Sequence, residues 1–385
     1  MKWLVIGVTH GVILGMLAAC TSASAPTPQI EVPLAQTPPA PLPAVVPDAT
    51  VLQPRSRWSA VPWEQLPGWN EDPLHEAWNA WLQSCQRPNT ALAGSCPQVR
   101  RLSVGSDEER RAWMMQQFQP YRVEALADGA AEGLLTAYFE PVFEASRRPS
   151  ARFSVPLYRP PADLAQRRPW YSRREIDTQA SVQALLRGRE IAFLADPVDA
   201  LILQIQGSGR LRITEPEGTQ HMVRVAYAGS NEQPYVSVGK WLLEQGAVRE
   251  ASWPSIKAWV ARNPGRVNEM LWSNPRTVFF REEPLSELDA GAGPRGAQGV
   301  ALTPGRSIAV DPLSIPYGTP VWLVSQGAAI QLRKLVLAQD TGSAIVGAVR
   351  ADYFAGWDAA AAELAGRLKQ SLQLWVLWPR QDGPR

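Results

Sequence analysis

The chain has 385 residues, more than one ordinary hydrophobic core accommodates, so about two domains are expected once any leader is removed. Lys and Arg (38) nearly balance Asp and Glu (36), giving a formal net charge of +2; no basic excess remains to hold nucleic acid. Three His and three Cys are too few and too scattered for a His- or Cys-based metal site, so neither a metal nor a cofactor is expected.

In chain order, Met1 and Lys2 form a short positive start, Leu4 to Leu17 is mostly apolar, and Leu17-Ala18-Ala19-Cys20 closes the segment. This stretch, 1–20, reads as a secretory signal too short to span a bilayer. Its ending resembles a bacterial lipobox, which implies cleavage before Cys20 and acylation of that residue, so that the chain is anchored to a membrane rather than threaded through it. With Cys20 used for lipid, Cys85 and Cys96 remain as a candidate disulfide in an oxidising compartment, or else as two buried thiols. Ten prolines between Pro26 and Pro62 favour extended chain over packed core, and 21–60 is read as a tether.

Folded structure is expected from about Trp63. The spacing of Leu74, Trp78, Trp81 and Leu82 predicts a helix over 75–87, and Ser106 with Glu109 forms a capping-box pattern that opens another helix through Phe118. GLLTAYFEPVF, residues 133–143, reads as a strand. In ILQIQGSGRLRITEPEGTQHMVRVAYAG an apolar run and a glycine turn precede two alternating strands joined at Glu215-Pro216-Glu217-Gly218, which suggests a β-rich unit. Helices are expected at about 235–244 and 255–271. After a Gly/Pro/Ala loop at 283–299, the short β runs GVALTP, SIAVD, TPVWL, AIQLRKLVLAQD and LQLWVLW favour a small closed or nearly closed barrel, with one helix at 358–369.

Sixteen Trp against eight Tyr and eight Phe leave two readings open: dense core packing, or a groove whose indoles stack on sugar rings. No G-x-S-x-G elbow accompanies His75 or His221, which argues against a Ser-His-Asp hydrolase. Gln206-Gly207-Ser208-Gly209 lacks the Lys-Ser/Thr of a phosphate loop and reads as a tight backbone approach, structural or to ligand. Asp340-Thr341-Gly342-Ser343 looks like an aspartic peptidase signature, but a single-chain enzyme of that kind needs two such motifs so that two carboxylates can share a proton, and only one is present.

The block 299–378 resembles instead the domain named for three aspartates, with Asp311 in AVDP, Asp340 in AQDTGSAI and Asp352 in VRADYF. Upstream, GLLTAYFEPV, VPLYRPP, LQIQGSGRL, AYAGSNEQPY and NPRTVFF resemble, in order, the motifs of the membrane-bound lytic murein transglycosylase A family. The resemblance spans about 63–378. It implies an outer-membrane lipoprotein facing the periplasm, with peptidoglycan glycan strands as substrate, outer-membrane lipid as anchor through acylated Cys20, and a cell-wall synthesis complex as a candidate partner. The implied reaction cleaves the β-1,4 bond between N-acetylmuramic acid and N-acetylglucosamine and leaves 1,6-anhydromuramyl ends. The implied fold is mainly β. A double-psi β-barrel domain with accompanying helices, 61–140 plus 270–380, is interrupted by a second β-rich, barrel-like domain, 141–269, and substrate lies in the groove between them.

The family's catalytic acid falls in the R-x-D-Y segment, at Asp352, and the resemblance implies that this one carboxyl group acts first as acid and then as base. Asp340, twelve residues earlier, is expected on an adjacent strand returning through the Gly342–Gly347 turn, where its charge would keep Asp352 protonated. Thr136 and Gln206, with Gly207 and Ser208, occupy motif positions suited to hydrogen-bonding sugar, or are buried strand residues. Tyr138 and Trp357 are candidate stacking residues, and Asp311 either caps a loop or lines the cleft. Two rivals remain: an inverting hydrolase with Asp352 as acid and Asp340 as base, and a peptidoglycan-binding lipoprotein without turnover.

Overall fold

The computed structural model describes residues 49–285 and 291–380; the leader with Cys20 and most of the tether lie outside them. The folded body begins before Trp63. Strands β1 (Thr50–Gln53) and β2 (Ser56–Ala60) form an antiparallel hairpin, and β2 pairs with β3 (Phe118–Ala125). Residues 50–60, expected in the tether, therefore belong to a sheet. Trp58 gives the reason: it is fully buried, with its ring edge-on to Trp378 at 5.3 Å, and so large an apolar side chain outweighs the local proline content.

The two early helices form where the spacing puts them, at Leu74–Ser84 and Asp107–Gln117, the second with both hydrogen bonds of the Ser106/Glu109 capping box. Their apolar faces meet the barrel through Trp63, Trp69, Trp78, Trp81, Trp322 and Trp375. The Trp excess thus serves core packing. Cys85 and Cys96 are joined in a disulfide at the end of the first helix.

The stretch 133–143 is not one strand. It divides at Phe139-Glu140-Pro141 into β4 (Gly133–Tyr138) and β5 (Val142–Ser146), which enter different sheets. Pro141 has no N–H to continue a ladder, which suits a break there. Chain order continues with β6 (Val155–Tyr158), β7 (Glu190–Leu194), β8 (Ser208–Thr214), β9 (Gln220–Ser230) and β10 (Val278–Pro284). These five and β5 make a six-stranded sheet in the order β10-β9-β8-β5-β7-β6. Since β10 pairs with β9 along its whole length, this sheet reaches Pro284, past the expected bound at 269.

The apolar run before Gly207 is a helix, Pro197–Gln206, capped by the Asp196 side chain and ended by Gly207 at φ +79. Gly209 is a close approach: a Cβ there would stand 2.0 Å from Leu203 Cδ2 and 3.1 Å from Pro141 O. Of the two later helices, the first forms at Val238–Glu244; the second breaks at Asn263-Pro264 into Trp253–Arg262 and Val267–Trp272.

Strands β11 (Ser307–Val310), β12 (Pro320–Gln326), β13 (Gln331–Asp340), β14 (Arg350–Phe354) and β15 (Lys369–Pro379) return to the first sheet, whose order is β1-β2-β3-β15-β12-β13-β11-β14-β4. β15 closes it. Lys369–Leu372 pairs with β4, Trp375–Pro379 pairs on with β3, and Gln373–Val376 pairs with β12, so β15, β12, β13, β11, β14 and β4 form a closed ring. Its interior is filled by Leu135, Ile308, Val310, Val321, Val336, Ala351, Leu374 and Val376.

Candidate active site

The pleat of β4 and β14 decides what faces outward. The two strands run parallel in register, Leu135 opposite Ala351 and Thr136 opposite Asp352. Because successive side chains alternate in direction, Leu135 and Ala351 enter the barrel core while Thr136 and Asp352 turn to its outer face. There Thr136 Oγ1 donates to Asp352 Oδ1 at 2.5 Å, and the same oxygen accepts from Arg350 Nη2 at 2.9 Å.

Asp340 ends β13, but it is not on a strand next to Asp352. β11 lies between them, and Ala309 is the register partner of Asp340 on one side and of Asp352 on the other. A register shift between Ile308 and Ala309 produces this alignment. The two backbones thus stand two strand spacings apart, about 10 Å. The Asp340 carboxylate accepts from Tyr138 Oη at 2.9 Å and from Ala297 N at 2.9 Å.

Burial raises both carboxyl groups above the ordinary aspartate value. At Asp352 the Thr136 hydroxyl and the Arg350 charge oppose the rise. At Asp340 the Thr341 N–H, Tyr138 hydroxyl and Ala297 N–H oppose it, while the charge of Asp352 adds to it. Burial is the leading cause at both carboxyl groups, and the repulsion between the two acts on each of them. Burial, then Asp340, pushes the Tyr138 hydroxyl well up, which keeps it a donor.

Both aspartates border one groove. A chamber of about 760 Å³ is lined by Tyr138, Asp340 and the Gln204–Ser208 turn, and a smaller one of about 180 Å³ by Arg350, Asp352, Tyr235 and Asn274. They merge, since Gln204, Ile205, Arg276, Val278, Gly342 and Ser343 line both. Barrel residues form one wall and the second sheet with its helices the other.

Gln206, Gly207 and Ser208 line this groove, although Gln206 Oε1 is occupied by the N–H of Phe139 at 3.1 Å. Tyr138 reaches the groove as a donor to Asp340. Of the two readings of Asp311 the loop-capping one holds, and Trp357 departs from its stacking reading. Asp311 is 4% exposed and caps loops: its carboxylate accepts from Gly347 N, Leu313 N and Arg55 Nη1. Trp357 has the Arg210 guanidinium 4.0 Å above its ring and is absent from the residues lining the groove. Among the described residues the aromatic side chains bordering the groove are tyrosines, with Tyr227 and Tyr235 exposed. No group of three His, Cys, Asp or Glu suited to a metal occurs among the described residues.

Comparison with known proteins decides the family. Residues 134–281 match the MltA specific insert domain and 306–378 the 3D domain. The membrane-bound lytic murein transglycosylase A of Vibrio cholerae is 32% identical over 293 residues, covering 70% of this chain and 74% of the relative. The chain belongs to the membrane-bound lytic murein transglycosylase A family. The solved lytic transglycosylase LtgG of Burkholderia pseudomallei is 40% identical over 88% of this chain and 99% of its own, with a TM-score of 0.59. MltA from Neisseria gonorrhoeae is 28% identical over 90% and 99%, with a TM-score of 0.73. The closed ring is the family's double-psi β-barrel.

Three groove-lining residues of this transglycosylase were not singled out from sequence: Arg350, Tyr227 and Tyr235. All lie inside motifs already quoted, VRADYF and AYAGSNEQPY, so the signal was present; what was missing was which face each side chain takes.

Proposed function

We propose that this lytic murein transglycosylase cleaves the β-1,4 bond between N-acetylmuramic acid and N-acetylglucosamine, with Asp352 as the proton carrier and a 1,6-anhydromuramyl end as product. Protonated Asp352 gives its proton to the glycosidic oxygen as the bond to C1 breaks and the muramyl ring takes on oxocarbenium character. The resulting carboxylate then takes the proton of the C6 hydroxyl as that oxygen closes on C1. The leaving sugar keeps the first proton, Asp352 regains one, and no water is consumed.

The observation that carries this reading is the half-buried Asp352 on the groove wall, its carboxyl raised by burial and met by one hydroxyl donor. Asp340 is read as a positioning residue that ties Tyr138 to the Ala297 loop. The groove between barrel and second sheet is the glycan path, with Gln206, Gly207, Ser208, Tyr227 and Tyr235 along it and Thr136 setting the acid. The barrel domain takes 50–140 and 300–379 in this reading, and the inserted domain extends to Pro284.

No helix among the described residues is long and apolar enough to cross a membrane. Peripheral attachment to the outer membrane through acylated Cys20, with the catalytic body in the periplasm, is supported by the Leu-Ala-Ala-Cys ending, whereas a cell-wall synthesis complex as partner follows from the family alone. Product analysis on purified sacculi tests the reaction: anhydromuropeptides from the wild type and none from Asp352→Asn are expected. Reducing muramyl ends would sink the proposal in favour of hydrolysis.

A further inference from the structure

A groove for a neutral sugar chain has no need of unpaired cations, yet Arg87, Arg276, Arg281 and Arg295 line the larger chamber. Arg281 is answered by Glu283, Nη2 to Oε1 at 2.8 Å. Among the described residues, Arg87, Arg276 and Arg295 have no carboxylate within 4.0 Å. The carboxylate that does line this chamber, Asp340, is already taken by Tyr138 and Ala297.

Two of these arginines are built around one glycine. Arg295 Nη1 donates to Gly299 O at 3.2 Å, and a Cβ on Gly299 would stand 2.6 Å from Arg87 Nη1. The backbone under Arg87 is fixed as well: Gln298 Nε2 donates to Arg87 O at 3.0 Å, and the disulfide at Cys85 lies two residues earlier. The same loop supplies the Ala297 N–H to Asp340, so the two guanidinium groups stand at the Asp340 end of the groove, displaced along it from Asp352. Two like charges are thereby gathered without a counter-charge among the described residues, in a cleft whose low-dielectric walls strengthen their field.

Resting on the peptidoglycan reading, we propose that Arg87 and Arg295 form an anion subsite for the carboxylates of the peptide carried on the muramyl lactyl group. The N-acetylglucosamine units are uncharged, so only the muramyl substituent offers an anion. A planar guanidinium pair matches carboxylates in bidentate geometry, which a Lys pair would not. The subsite makes peptide-bearing glycan the preferred ligand and leaves the chemistry at Asp352 unchanged.

The test uses the full chain carrying Asp352→Asn, so that ligands bind without turnover. Affinity is measured for a muramyl-peptide tetrasaccharide with free stem carboxylates, the same ligand with those carboxylates amidated, the peptide-free tetrasaccharide, and chitohexaose. The free-carboxylate ligand is expected to bind about tenfold more tightly than its amidated form, with an advantage that shrinks as salt rises. In Arg87→Gln/Arg295→Gln that ratio falls to about one, and Arg87→Lys/Arg295→Lys keeps part of it. A ratio that persists in the Gln variant overturns the subsite, as does an equal loss for the peptide-free tetrasaccharide, which would assign the site to the lactyl carboxylate. The readout is a ratio within one protein, so general damage to folding does not imitate it. Because it is a binding measurement, it stands whether or not sacculi yield anhydro products.

Discussion

Thr136 and Asp352 are register partners across the parallel β4–β14 pair, and their side chains meet at 2.5 Å with the hydroxyl donating to Oδ1. The hydroxyl oxygen is itself polarised by Arg350 Nη2 at 2.9 Å. This donor favours the ionised acid and opposes the rise that burial causes. In Thr136→Val this part of the opposition is gone while the Arg350 charge remains, so the Asp352 pKa moves further up and the alkaline limb of the rate profile shifts to higher pH. At neutral pH kcat falls about tenfold as the hydrogen bond to the carboxylate is lost from the second step. A pH-rate series that leaves the limb in place, or moves it down, refutes the role given to Thr136.

The two aspartates differ in what their removal does. Asp352→Asn lacks both acid and base and is expected to lower anhydromuropeptide release by about 10⁴-fold or more, since each proton transfer is worth about 10²–10⁴. Asp340→Asn keeps one acceptor oxygen, for either Ala297 N or Tyr138 Oη, and turns an amide N–H toward the other, so about a 10- to 100-fold loss is expected with the anhydro product retained. Equal abolition in both variants, with reducing ends from the wild type, would make Asp340 a base and the enzyme a hydrolase.

The raised carboxyl groups also carry a stability signature. A folded-state pKa above the ordinary 3.8 means that the fold holds more protons than the unfolded chain between the two values. Stability from this source is therefore full below 3.8 and is lost as pH rises through the folded values. Asp352→Asn removes part of that loss, so the inactive variant should melt higher than wild type at neutral pH and equally at pH 3. Melting curves across that range check the sign; a lower melting point at neutral pH contradicts it.

Much of this arrangement was legible in the sequence because it is local. The capping box at Ser106 and the short β runs that form β12, β13 and β15 each announce themselves within a few residues. Sheet order is not local. Nothing in residues 335–354 indicates that β11 inserts between Asp340 and Asp352, and the guanidinium on Trp357 comes from β8 in the other sheet. Asp311 shows the same limit: whether a carboxylate before a proline caps a turn or faces a cleft depends on Gly347 and Arg55, both remote in sequence.

Gly133 holds β4 against β14. A Cβ at this position would stand 1.8 Å from Val349 O, a backbone atom that cannot rotate away. Gly133→Ala is expected to cost about 1–3 kcal/mol of stability through overpacking. Because β4 and β14 also set the Thr136–Asp352 register, kcat should fall in the surviving folded protein. Denaturant unfolding together with kcat measures both; an unchanged midpoint would show that the strands separate freely.

Glu140, fully buried where β4 passes into β5, ties the two sheets together. It accepts from Arg210 Nε at 2.8 Å on β8 and from Arg224 Nε at 2.6 Å on β9, and both arginines also donate to Ala292 O in the loop leading back to the barrel. Glu140→Ala leaves two guanidinium groups buried without their carboxylate, a change that costs about 3–5 kcal/mol where a buried pair loses one partner. The loss should be smaller when Arg224→Met accompanies Glu140→Met, since one of the two guanidinium groups that Glu140 answers is then removed with it. Unfolding midpoints for the single and double variants decide the point. A single-variant loss below about 1 kcal/mol would mean that the cluster contributes little and that the sheets are held by their apolar contacts.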